Sequence, residues 1–227
     1  MSGILSQINS SEDVKKLNIS ELNTLAGEIR RFMVENVSKT GGHLAPSLGT
    51  VELTLALHRV FNPMQDKIVW DVGHQAYTHK ILTGSRDSFC TLRQKGGVSG
   101  FPKTAESEAD AFNTGHSSTS ISAALGFAKA FEMSKSPNYA VAVIGDGALT
   151  GGMAYEALNH AGSGKTPLIV ILNDNGMSIS QNVGGLSNYL DKMRVDERYI
   201  NLKKSVKDML KNMPLLGDSF RSLAHKS

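Results

Sequence analysis

Two short, almost wholly apolar runs, residues 140–144 (AVAVI) and 168–172 (LIVIL), are each bounded by turn-forming residues. One helix-length segment, residues 153–161, separates them. Strands covered on both faces read as unbroken apolar runs instead of alternating ones, so this spacing predicts a βαβ unit with a right-handed crossover. The fold class that follows is α/β, a parallel sheet flanked by helices, with both runs as interior strands. Each run ends in polar residues: Gly145-Asp146-Gly147 after the first, and Asn173-Asp174-Asn175 with Gly176-Met177 after the second. Open α/β sheets bind ligands at the carboxyl ends of their strands, so both tips are expected to face one crevice.

The chemistry of those tips is specific. The Asp146 carboxylate, the Asn175 side-chain oxygen and the Met177 main-chain carbonyl would form a sparse set of hard oxygen ligands. Such a set suits Mg²⁺, which takes octahedral oxygen coordination and completes it with a ligand's phosphates. The glycines flanking Asp146 let a diphosphate approach the backbone closely. Two other readings fail on spacing. A dinucleotide fingerprint beginning at Gly145 would need its third glycine where Thr150 stands, and the P-loop-like Gly164-Lys165-Thr166 has Asn159 where a glycine is required and precedes a strand.

Upstream, Ser20 is the expected N-cap of a helix over residues 20–38, with Leu22, Leu25, Ile29, Phe32 and Met33 as its apolar face and Gly41-Gly42 as its end. A glycine-rich turn carrying His43 follows, then an apolar helix over residues 50–60. His43 sits among glycines, where a side chain can reach a ligand or serve a structural role. Residues 66–71 read as a short strand, which places His74 at another strand tip. His58 and His79 read as core histidines, and Trp70 as core. Residues 84–110 lack periodicity, and a long irregular stretch inside a compact domain is usually functional or mobile. Gly115-His116-Ser117 then leads into a helix over residues 121–133, where free backbone N–H groups and the helix dipole favour an anion, alongside ordinary capping by Ser or Thr.

The G-D-G, helix, strand and N-D-N order resembles the thiamine-diphosphate motif of the transketolase-like superfamily. Together with GGHLAPSLGTVELTLALH, WDVGHQAY and GFPKTAESEADAFNTGHSSTSIS it resembles the 1-deoxy-D-xylulose-5-phosphate synthase family in particular, from about Leu22 to about Met193. The resemblance implies thiamine diphosphate and Mg²⁺ as cofactors. It places His43 and His74 in the active site, and puts His74, Gly115, His116, Ser117, Gly147, Ala148 and Asn175 on the cofactor. Pyruvate and glyceraldehyde 3-phosphate are the implied substrates, with release of CO₂, in a cytoplasmic homodimer. Gly176 and Thr78 depart from the family text, which often has an acidic residue and a proline there.

Family synthases are roughly three times longer than this chain, and the glutamate that protonates the cofactor's aminopyrimidine lies in their second domain. The chain therefore reads as a truncated or split synthase, with a separate chain carrying the missing pyrimidine-binding domain as a possible partner. A catalytically silent cofactor-binding or dimerisation module, and the N-terminal subunit of a split transketolase, are the alternatives. The domain division expected is 1–190 for the diphosphate-binding domain and 191–227 for a helical arm.

Composition limits what else the chain can do. The arm carries nine Lys/Arg against five Asp/Glu within a net charge of +3, but has no aromatic-interleaved basic motif, which argues for a solvated amphipathic arm and against nucleic acid. No apolar run reaches membrane-spanning length, and the N-terminus has neither a basic start nor a long apolar stretch, so neither a membrane span nor a secretory signal is expected. The single cysteine, Cys90, has no motif around it and is compatible with a reducing compartment.

Overall fold

The computed structural model describes residues 3–174 continuously, with Gly185, Tyr189, Lys192, Asn201 and Ser205 as single further positions. The chain divides into two compact units, Met1–Ile179 and Ser180–Ser227. In the second unit the five single positions are helical. The boundary expected between residues 190 and 191, and most of the expected arm, fall outside the described residues.

The first unit runs α1 (Ser11–Lys16), α2 (Ile19–Thr40), α3 (Leu44–Gly49), α4 (Val51–Val60), β1 (Lys67–Trp70), α5 (Tyr77–Lys80), α6 (Ser120–Ser134), β2 (Ala140–Gly145), α7 (Asp146–Leu149), α8 (Gly152–Gly162) and β3 (Ile169–Asn173), with short single turns between some of them. The α2 N-cap is Asn18, not Ser20. Asn18 Oδ1 accepts from the Glu21 N–H at 3.0 Å and the Glu21 carboxylate accepts from the Asn18 N–H at 2.7 Å. This reciprocal box contributes about 1 kcal/mol and starts the helix two residues earlier than the serine would. Leu25, Ile29, Phe32 and Met33 form its buried stripe as expected, and Leu22 packs at the margin. The helix ends at Gly41, whose φ of 75° favours glycine.

The glycine-rich turn after Gly42 is shorter than the sequence suggests, because Leu44–Gly49 is helical. Pro46 stands in its first turn, where the missing N–H breaks no helical bond.

The three strands form one sheet in the order β1-β2-β3, and both pairs are parallel. On one face Ile68, Trp70, Val141 and Val143 pack with Leu57 of α4. Strand side chains alternate between faces, so residues 140, 142 and 144 point to the other, where α6 packs on β1 and β2. β2 is the interior strand and is buried from Ala140 to Ile144. Among the described residues β3 pairs on one side only and is half-buried, so the apolar run at 168–172 marks a parallel strand without the burial of β2.

Residues 84–110 are irregular, as expected, yet Phe89, Leu92 and Val98 enter the core beneath α2. Cys90, in the same stretch, is free and exposed.

Candidate functional site

A parallel sheet delivers every strand's carboxyl end to one edge, and here those ends are Trp70, Gly145 and Asn173. Gly145 is in register with Asn173, so Asp146 and Asp174 continue from neighbouring tips. The first tip is not the open loop that Gly-Asp-Gly suggests. Gly145 stays extended and Asp146 opens the single helical turn α7, which holds Gly147 and Ala148. Asn175 and Met177, the other expected metal ligands, lie outside the described residues. Among the described residues no group of three or more His, Cys, Asp or Glu could hold a metal ion. A set of one carboxylate, one amide oxygen and one main-chain carbonyl is of a different kind.

The turn after β1 is strained. Val72 and Gly73 both take left-handed backbone conformations, with φ of 59° and 91°. For a β-branched residue that is an outlier that surrounding contacts must enforce. Gln75 Nε2 donates to the Asp71 carbonyl at 2.9 Å, Ser47 Oγ to the His74 carbonyl at 3.0 Å, and Thr50 Oγ1 to the Gln75 carbonyl at 2.8 Å. A Cβ on Gly73 would overlap Pro102 and Thr114. The turn is thus fixed from three sides, and it presents His74.

All three expected site histidines converge. The His43 and His74 ring centroids are 5.6 Å apart, His74 and His116 are stacked at 5.9 Å, and His43 and His116 are 6.1 Å apart. Phe101 completes the cluster, 5.9 Å from His43 and 5.8 Å from His116. The Tyr77 hydroxyl accepts from the His43 N–H at 3.1 Å and holds the loop in place. The Nδ1 atoms of His43 and His74 and the Thr114 hydroxyl are buried without partners, which leaves polar atoms for a ligand to satisfy.

Burial, and after it the neighbouring His43 and His116, pushes the His74 imidazole down to about 4. Burial first, then Arg93 and His116, lowers His43 as well. Both are therefore neutral near pH 7, able to accept a proton or a hydrogen bond. In the folded chain His74 binds fewer protons than when unfolded. Its contribution to stability is whole above pH 6.5 and is lost as the pH falls towards about 4. An NMR titration of the imidazole C2–H signals should give His74 a midpoint near 4. A midpoint at its ordinary 6.5 would show that the ring is solvated and the cluster open.

The Gly115-His116-Ser117 segment reaches the same edge, with His116 and Ser117 exposed. Ser118, which the sequence reading did not single out, ties it to α7. Its φ is 54° and its Oγ donates to the Ala148 carbonyl at 2.8 Å. Gly151 has no room for a Cβ beside that hydroxyl. The expected Ser/Thr cap of α6 is absent, since Thr119 makes no side-chain cap. Instead the buried Asp71 carboxylate, from the end of β1, accepts the Ser120 N–H at 3.0 Å.

His58 and His79 lie apart from this cluster, in the core, as expected. His58 Nε2 and His79 Nδ1 are 2.9 Å apart, and His79 Nε2 lies 3.3 Å from Asp110 Oδ1 without the alignment of a hydrogen bond. Burial first, then His79 and Lys15, holds His58 well below the usual histidine range. Asp110 also pairs with Lys80 at 3.1 Å.

Fold and site together define an α/β protein that gathers its candidate functional groups near the carboxyl edge of a parallel sheet. The chain belongs to the 1-deoxy-D-xylulose-5-phosphate synthase family, whose model matches residues 5–227. It is 62% identical over 98% of its length to a 1-deoxy-D-xylulose-5-phosphate synthase of Alkaliphilus oremlandii. To those of Natranaerobius thermophilus and Syntrophomonas wolfei it is 61% and 59% identical, over 96% and 100% of the chain. The aligned part is 36%, 34% and 35% of these relatives, so the chain spans about a third of their length. Among the described residues no helix is long and apolar enough to cross a membrane.

Proposed function

We propose that this chain supplies the diphosphate-holding part of a thiamine-diphosphate site in a 1-deoxy-D-xylulose-5-phosphate synthase. That enzyme condenses pyruvate with glyceraldehyde 3-phosphate to 1-deoxy-D-xylulose 5-phosphate and CO₂. The observation that carries the reading is the convergence of neutral His43 and His74 with His116, on the sheet edge where Asp146 continues from a strand tip registered with Asn173. The residues fit such a cofactor. Buried, unpartnered Nδ1 atoms on His43 and His74 and the Thr114 hydroxyl offer hydrogen bonds, and Gly147 and Ala148 bring main-chain groups to the tip.

When bound, the cofactor would supply the nucleophilic carbon and the electron sink that decarboxylation of pyruvate needs. Asp146, with Asn175 and the Met177 carbonyl, would hold Mg²⁺ on the diphosphate. Gly115, His116 and Ser117 would line the cofactor. His74 would orient it, and His43 would pass a proton to or from the substrate oxygen. A neutral imidazole serves both roles, since it accepts a proton at one nitrogen while the other donates. Homodimerisation and a cytoplasmic location belong to the same reading.

The catalytic site of the family draws on groups that the resemblance places in the remaining two thirds of the protein. Alone, the chain should bind thiamine diphosphate weakly and release little CO₂ from pyruvate. The test measures hydrogen exchange at the cofactor's C2 and CO₂ release, with and without the complementary portion of a relative added in trans. Restoration on addition supports the reading. Fast exchange and steady decarboxylation by the isolated chain would overturn it, and cofactor binding with no turnover under any condition would identify a silent binding module.

A further inference from the structure

Lys80 ends α5 with a side chain only 1% exposed, a position that lysines almost never take unless paired. Its Nζ donates to Glu106 Oε2 at 2.9 Å, to Asp110 Oδ2 at 3.1 Å and to the Phe101 carbonyl at 3.3 Å. All three acceptors belong to the irregular stretch before α6. The two carboxylates also tie that stretch to itself. Glu106 accepts from the Ser99 N–H at 3.0 and 3.2 Å, and Asp110 Oδ2 accepts from the Lys103 N–H at 2.8 Å. In a segment with no helical or sheet ladder, the Ser99 and Lys103 N–H groups are satisfied by these charges, and other N–H groups by turns and side chains. Phe101, whose carbonyl touches the ammonium, is also the residue whose ring packs on His43 and His116.

We propose that Lys80 is a positioning residue: gathered by Glu106, Asp110 and the Phe101 carbonyl, its ammonium holds the Phe101 ring against His43 and His116. Buried ion pairs contribute little net stability over an apolar replacement, and the role proposed for this one is to specify a single arrangement where apolar packing would tolerate several. Methionine in place of Lys80 would fill the volume and leave the acceptors of residues 99–110 without their common donor. Arginine keeps the charge, but its planar fork cannot point at three acceptors as an ammonium does.

The test reads the imidazole C2–H signals of the histidine-labelled chain by NMR, with no cofactor added, so its failure is distinct from failure of the cofactor reading. Phe101→Leu removes the ring and defines the signals of His43 and His116 without its ring current. Lys80→Met should move both signals to those positions, Lys80→Arg should lie between, and His160, exposed on α8, should stay in place. The idea is overturned if Lys80→Met leaves both signals at their wild-type positions while Phe101→Leu moves them, or if Phe101→Leu moves neither. Emission of Trp70, the single tryptophan, reports whether each variant folds. Should Lys80→Met not fold, Glu106→Gln decides. It removes one charged arm at a partly exposed position, and a partial displacement supports the role of Lys80 while none overturns it.

Discussion

Asp110→Ala should destabilise the protein by about 3 kcal/mol, the lower end of the range for breaking a buried charge pair by removing one partner. Asp110 is 2% exposed and faces Lys80 and His79, both within 3.3 Å. Removing its carboxylate leaves the Lys80 ammonium with Glu106 as its remaining charged partner, and takes the acceptor from the Lys103 N–H. Glu106 keeps the loss from reaching the upper end of that range. The pH dependence has a definite sign. Burial alone would raise the Asp110 pKa, but the adjacent His79, the Lys80 charge and the Lys103 N–H together outweigh it, and the net shift is downward from 3.8. A depressed carboxylate contributes stability above its unfolded pKa and loses it as the pH falls through its folded one. The difference between wild type and variant, measured by urea unfolding, should therefore be level from neutral pH to about the ordinary carboxylate range and shrink below it. A difference under about 1 kcal/mol at pH 7, the size expected of a surface pair, would show that the network is solvated.

What the sequence reveals and what it conceals divide along the distance between interacting residues. The strand at 140–144 was legible because burial on both faces writes itself as an unbroken apolar run, and the α2 stripe because its period is that of a helix. The same signal at 168–172 marked a parallel strand, but among the described residues that strand is only half-buried. Asn18 was also legible in principle. Both Asn18 and Ser20 suit a cap, but Asn18 alone has a glutamate three residues on, which closes the box. The histidines could be singled out one by one, since His43 and His116 adjoin glycines and His74 follows a strand. Their convergence is a product of the tertiary fold, which brings the turn before α3 and the segment before α6 to the tip of β1 that carries His74. Phe101 carries no local mark of its role beyond standing as an aromatic residue after Gly100 in a polar stretch. Lys80 and Asp110 were opaque for the same reason. A lysine near the end of a short helix and an aspartate in an irregular segment both read as solvated until the fold brings them together, 30 positions apart in sequence.

Asp146→Ala should reduce Mg²⁺-dependent binding of thiamine diphosphate by more than about 100-fold. Loss of a group one shell removed from a metal typically costs about 10–100-fold, and a direct charged ligand costs more. β2 ends at Gly145, α7 begins at Asp146, and the register of Gly145 with Asn173 sets that carboxylate beside the tip that leads to Asn175 and Met177. Mg²⁺ holds its ligands at near-octahedral angles and gives up water reluctantly, so a neutral methyl cannot replace an anionic oxygen that shares the ion with a diphosphate. Asp146→Asn, which keeps an oxygen and loses the charge, should fall between wild type and alanine. Met177→Leu should be nearly silent, because the contribution proposed for Met177 comes from the main chain. Calorimetry of the cofactor with and without Mg²⁺, on variants whose Trp70 emission matches the wild type, separates these outcomes. Chelating the metal should reproduce the alanine result in the unaltered chain and add nothing to it in Asp146→Ala. Unchanged binding in Asp146→Ala would remove Asp146 from the metal site and require the cation, if one is held, to sit on another tip of the sheet.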